Sequence, residues 1–132
     1  LGGVNNSCLI DDSYNASPSS FRAAIDVLGS CSGLRFLIAG DMKEMGKASE
    51  SAHSGVGEYA AKAGIDKLWA VGEQSEFTVK AFGSGGRHFS KMGELMTACQ
   101  DMASSDVTFL VKGSRGAGMD AVVKVLRESE EF

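Results

Sequence analysis

Apolar residues along the chain follow two alternating rhythms. Short runs at Ser7–Asp12, Leu34–Ala39, Lys67–Val71 and Val107–Val111 predict strands, and Arg87–Ser90 predicts a weaker one. Between them, apolar positions return every three or four residues. Phe21, Ala24, Ile25 and Leu28 form one such stripe; Ala52, Val56, Tyr59, Ala60 and Ala63 form a second. Met92, Leu95, Met96, Cys99 and Met102 form a third, read as packing, and Met119, Val122, Val123 and Leu126 a fourth. Glu76–Phe82 predicts a shorter helix. Ser17 and Pro18 supply a cap and a first-turn proline for the first helix, while Gly29 and Gly64 mark helix ends.

Strands alternating with amphipathic helices predict an α/β domain, Rossmann-like and three-layered, with a mostly parallel sheet and helices on both faces. Ligands in such folds sit beyond the carboxyl ends of the strands. Three polar loops, Asp11–Ser17, Asp41–Ser49 and Lys112–Gly118, are therefore expected to share one edge. The opening Leu1–Asn6, rich in glycine and asparagine, reads as a linker from an upstream domain, leaving 7–132 as a single domain.

Composition narrows the function classes. The 132 residues are 43% hydrophobic and 23% charged, the balance of a globular domain. A net charge of −4 without a basic stripe argues against nucleic-acid binding. No apolar run approaches the roughly 18–20 residues of a membrane span. Cys8, Cys31 and Cys99 are odd in number and widely spaced, which suits a reduced, cytoplasmic setting and neither a disulfide framework nor a zinc site.

Candidate chemistry lies in the three loops. Asp11-Asp12-Ser13-Tyr14-Asn15 offers a carboxylate able to accept ribose hydroxyls, a ring face and an amide; its bland reading is a turn followed by a helix cap. Lys112-Gly113-Ser114-Arg115 combines backbone that can approach an anion with a point charge and a planar fork; its bland reading is a turn with solvated cations. Gly40–Ala48 imitates a phosphate loop but fails. Five residues separate Gly40 and Gly46 instead of four, and Ala48 stands where a hydroxyl would hold Mg²⁺. Glu50 and His53 lie one helical turn apart without further ligands, so no metal site is expected and His53 reads as a surface or loop-facing residue. Trp69, within a strand, reads as core.

Four segments in order resemble a known family: D-D-S-Y-N-A-S-P (Asp11–Pro18), A-G-D-M-K-E-M-G (Ala39–Gly46), Ser49 with His53 and Val56-Gly57, and L-V-K-G-S-R (Leu110–Arg115). They are similar to the C-terminal domain of the Mur ligases of bacterial cell-wall synthesis, in the branch that adds D-alanyl-D-alanine to UDP-MurNAc-tripeptide. The resemblance covers essentially the whole chain. It implies an ATP- and Mg²⁺-dependent enzyme whose N-terminal and central ATPase domains lie outside this chain, with Mg²⁺ held mainly by the central domain. The substrate carboxyl is activated as an acyl phosphate, which the dipeptide amine attacks.

By the same resemblance Asp12 holds the ATP ribose, with Tyr14 and Asn15 beside the nucleoside. Lys112, Ser114 and Arg115 face the reaction centre and the dipeptide carboxylate, Lys112 and Arg115 in catalytic roles, and Asp41 and Lys43 line the same cleft. The chain alone is expected to turn over no ATP. The alternatives are another amide ligase of the folylpolyglutamate synthetase type, or a non-enzymatic module that binds a nucleotide or anion. A phospho-receiver domain fits poorly, because Ala70-Val71-Gly72 ends the third strand where an acceptor aspartate is needed.

Overall fold

The structure, a computed structural model, describes residues 2–127. Leu1 and residues 128–132, the outer ends of the expected linker and domain, lie outside the described residues.

Five strands, β1 (Cys8–Asp12), β2 (Leu34–Ala39), β3 (Lys67–Val71), β4 (Gly86–Phe89) and β5 (Val107–Lys112), form one sheet in the order β1-β5-β2-β3-β4. Every pairing is parallel. Parallel neighbours require crossovers, and the helical stripes supply them: α1 (Pro18–Gly29), α2 (Ser49–Lys62), α3 (Ser75–Phe82), α4 (Met92–Met102) and α5 (Asp120–Leu126). Helices α1, α2 and α3 cover one face, packing Phe21, Ile25, Leu28, Val56 and Phe82 on Leu37, Leu68 and Leu110. Helices α4 and α5 cover the other, packing Leu95, Cys99, Val122 and Leu126 on Leu9, Phe36, Trp69 and Phe109. All six residues of β5 are buried, as a strand paired on both sides and covered on both faces demands.

Trp69 is core, edge-on to Phe36 with ring centroids 4.9 Å apart. In the methionine stripe Met92 and Met96 pack against the core, whereas Met102, in the last turn of α4, is exposed. Burial pushes the Cys99 thiol up to about 12, so it remains a protonated apolar filler. Residues 2–6 fold back on the domain. Gly2 bridges Cys8, Gly3 bridges Arg127, and Val4 packs against the core.

The charged interruption of β2 has a structural purpose. The Arg35 guanidinium donates to the Gly29 carbonyl at 2.8 Å and to the Gly64 carbonyl, closing the ends of α1 and α2, and pairs with Asp66. The Arg35 backbone N–H also donates to Asp66, at 2.9 Å; that bond first, then the guanidinium, holds the Asp66 carboxyl below its ordinary value. A lowered folded-state value means stability present above the unfolded pKa and lost as pH falls through the folded one. Asp66→Asn should therefore destabilise the chain near neutrality, and the difference from wild type should shrink towards about pH 3. Urea unfolding at both pH values measures this, and a difference independent of pH would contradict it.

Candidate functional site: three loops at the carboxyl edge of the sheet

Because β5 lies between β1 and β2, their three following loops meet. Asp12, Lys112 and Ala39 are register partners across the three strands. The Gly40 N–H donates to the Lys112 carbonyl at 2.8 Å, and the Ser114 N–H to the Asp41 carbonyl at 3.0 Å. Ser114 is the knot of the edge. Its Oγ accepts from the Lys43 N–H at 2.7 Å and donates to the Ala16 carbonyl at 3.4 Å. Met119 packs where Cβ atoms on Gly40 and Gly113 would stand, which explains glycine at both positions. The expected clustering of the three loops is present.

Two adjoining cavities open between the loops. One, of about 560 Å³, is lined by Asn15, Ser20, Lys43, Glu44, Ser114 and Arg115 among others. The second, of about 260 Å³, lies between Tyr14, Arg115 and Asp120. Arg115 borders both, its guanidinium 5.4 Å from the centre of the exposed Tyr14 ring. A larger, shallower concavity of about 630 Å³ runs along α4 between Arg87 and Asp101. It lies away from the strand-end loops, and the convergence of those loops, not volume, selects the carboxyl edge.

Two residues expected to line the cleft are placed otherwise. Lys112 does not face it: the residue is 1% exposed, and its ammonium donates to Asp12 Oδ2 at 2.8 Å and to the Asn15 carbonyl at 2.9 Å. A buried ammonium needs such partners, so Lys112 pins the Asp12–Asn15 loop from beneath. Asp41 also turns away. Its Oδ1 accepts from the Ser75 N–H at 2.8 Å and the Ser75 hydroxyl at 2.7 Å, and its Oδ2 from the Gln74 N–H at 3.2 Å. The carboxylate is committed to the N-terminus of α3, and only the Asp41 main chain borders the cleft loops. A Cβ on Gly72 would stand 2.4 Å from Asp41 Oδ1, so this approach also requires glycine there.

His53, expected at the surface or facing a loop, faces the loop and is 1% exposed. Its Nε2 accepts from the Met42 N–H at 2.9 Å, while Nδ1 lies 2.7 Å from the Ser49 carbonyl. That pattern selects the neutral tautomer with hydrogen on Nδ1. Ser49 Oγ donates to Gln74 at 2.7 Å, Val56 is core, and Gly57 packs closely on α3. The Ser49, His53, Val56-Gly57 motif thus fastens α2, α3 and the cleft loop to one another. The i, i+4 spacing of Ser49 and His53 was visible in sequence; the partner of His53 was not.

Asp12 itself sits at the rim, 44% of its side chain exposed, with Oδ2 on Lys112 and no protein donor on Oδ1 among the described residues. Tyr14, Lys43 and Arg115 are exposed, and Asn15 borders the larger cavity. No group of three or more histidine, cysteine or acidic side chains comes together among the described residues.

Fold and cleft together define a doubly wound, all-parallel α/β domain whose carboxyl edge is built in part by the loops after β1, β2 and β5. Residues 1–115 match the family described as Mur ligase, glutamate ligase domain, and the chain belongs to the Mur ligase family. It is 44% identical over 128 residues to UDP-N-acetylmuramoyl-tripeptide–D-alanyl-D-alanine ligase of Escherichia coli K12, covering 96% of this chain and 28% of the relative. It is 34% identical to the enzyme of the same name from Bacillus subtilis 168, covering 92% and 28%. A crystal structure of MurF from Acinetobacter baumannii superposes with a TM-score of 0.80 at 29% identity, over 88% of this chain and 26% of that one. MurF ligase from Thermotoga maritima in complex with ADP gives 0.80 at 23% identity, over 90% and 27%, a likeness of fold. The chain spans 28% of the length of these curated relatives.

Proposed function

We propose that this chain is the C-terminal domain of an ATP-dependent ligase that joins D-alanyl-D-alanine to UDP-MurNAc-tripeptide. The observation that carries this reading is the 44% identity to the Escherichia coli relative of that name, extending across 96% of the chain. The local geometry suits it. Asp12 Oδ1 can accept a ribose hydroxyl while Oδ2 stays on Lys112, and Tyr14 and Asn15 flank the same rim. Lys43, Ser114 and Arg115 border the larger cavity, where a dipeptide carboxylate would meet cationic charge. Lys112 acts there through Asp12 and not by touching substrate. ATP supplies the phosphoryl group that activates the tripeptide carboxyl, and Mg²⁺ would draw its ligands mainly from the central domain of the enzyme. The same reading makes 7–132 the domain and 1–6 the connection to what precedes it, and places the enzyme in the bacterial cytoplasm, where ATP and UDP-linked precursors occur.

Exchanging this chain for the segment it matches in the Escherichia coli relative tests the proposal. The exchanged enzyme should release ADP only when both the nucleotide tripeptide and D-alanyl-D-alanine are present, and should form the pentapeptide product. Arg115→Lys should raise the KM for the dipeptide about tenfold or more and leave the KM for ATP unchanged, because an ammonium lacks the bidentate fork. The 132-residue chain by itself should turn over no ATP. A folded exchanged enzyme that prefers another acceptor, or needs none, would overturn the reading.

A further inference from the structure

Glu44 takes no part in the contacts described above, yet two observations single it out. The first is electrostatic. Lys43, Glu44 and Arg115 border the same cavity of about 560 Å³, and neither ion pair of the described residues involves any of them. An anion alone would be repelled by Glu44, and a cation alone by Lys43 and Arg115. A ligand that satisfies all three carries both charges, separated in space.

The second observation is conformational. Glu44 has φ +61°, in the left-handed region that disfavours a residue with a Cβ. Its neighbours enforce this. The Met42 N–H is held by His53, the Lys43 N–H by Ser114, and Gly46 follows at φ +55°. Glycine at position 44 would relieve the cost, but the chain keeps a carboxylate there, at the border of the cleft. Strain retained at a cleft points to a use for the side chain.

We propose that Glu44 receives the ammonium group of a small zwitterionic peptide in this cleft, with Lys43 and Arg115 taking its carboxylate end. The inference deepens the reading under Proposed function and rests on it for the identity of the peptide. Glu44 is then a specificity determinant. It favours acceptors with a free, charged amine and discriminates against N-blocked ones.

Two substitutions separate binding from folding. Glu44→Gln keeps the side-chain shape and the backbone strain and removes the charge. Glu44→Gly removes both the charge and the strain. In the exchanged enzyme each should raise the KM for D-alanyl-D-alanine tenfold to a hundredfold, the loss expected of one charge-assisted hydrogen bond, with the KM for ATP changed less than about twofold. Thermal stability should be unchanged in Glu44→Gln and increased in Glu44→Gly, a pairing that a merely structural glutamate would not give. Titrating the 132-residue chain with D-alanyl-D-alanine should shift the Glu44 amide resonance, and its N-acetylated form should not.

An unchanged dipeptide KM in both variants, or equal binding of the free and acetylated dipeptides, would overturn the inference. Parallel losses for ATP and dipeptide accompanied by a falling melting temperature would also overturn it. If the exchanged enzyme instead uses a different amino acid with the same dependence on Glu44, the peptide's identity fails while the role of Glu44 stands.

Discussion

Asp12→Asn is expected to destabilise the domain by roughly 2 kcal/mol and, in the exchanged enzyme, to weaken ATP tenfold to a hundredfold. Both effects come from one carboxylate with two oxygens in different surroundings. Oδ2 neutralises the Lys112 ammonium, which is buried under the β1–α1 loop, while Oδ1 has no protein donor among the described residues. Breaking a fully buried pair costs about 3–5 kcal/mol because an uncompensated charge stays behind. Asp12 is 44% exposed, so water screens the pair and the lower figure applies.

A double-mutant cycle separates the two roles. Lys112→Met fills the same space without a charge and should cost under about 1.5 kcal/mol, since the exposed Asp12 is resolvated. Asp12→Asn in the Lys112→Met background should then lose little further stability, a coupling of about 1–2 kcal/mol, yet should still bind ATP poorly. Urea unfolding of the four proteins and ATP kinetics of the four exchanged enzymes measure the cycle. Full additivity in stability would mean that Lys112 does not depend on Asp12. Unchanged ATP kinetics would make Asp12 a turn-builder and loop anchor alone.

The second large effect lies away from the cleft, at two glycines of one helix. A Cβ on Gly57 would stand 2.1 Å from the Thr78 carbonyl oxygen and 3.0 Å from the Phe82 backbone nitrogen. Both are main-chain atoms of α3, which no rotamer change can move, and Asp41 already anchors the start of α3. Gly57→Ala should therefore destabilise by about 3 kcal/mol through overpacking, even though alanine is better in a helix by about 1 kcal/mol. At Gly55, two residues earlier, nothing lies within 4 Å of the added Cβ. Gly55→Ala should show the propensity gain alone, stabilising by up to about 1 kcal/mol. Thermal or urea unfolding of the pair decides it. Equal effects at both sites would mean that α2 and α3 are not in close contact.

How much was legible in sequence follows the range of the interaction. β2 and β3 fall where their apolar runs begin and end, and α1 begins at its Ser17 cap and Pro18 and ends at Gly29. Strand and helix periodicities and caps are local, so a window of a few residues contains the cause. Alternation of the two also determined the parallel sheet and the shared loop edge, because short crossovers leave few other arrangements. The motifs then determined the family.

Strand order lay outside that reach. Nothing near Lys112 states that β5 will lie between β1 and β2, yet that placement buries its ammonium and hands it to Asp12, 100 residues away. Asp41 finds the N-terminus of α3, 34 residues on, and His53 finds the Met42 N–H of the loop before its own helix. Lys112 and Asp41 were expected in the cleft because their charges suggest a ligand, and for His53 the sequence left surface and loop-facing placements open. Polar side chains go where unpaired donors and acceptors remain after the backbone has packed. The sequence by itself determined the elements, the edge and the family. Only the tertiary structure decided which polar groups are consumed in holding the loops together and which, among them Asp12 Oδ1, Tyr14, Lys43, Glu44 and Arg115, are not, because that division depends on burial and on partners far apart in the chain.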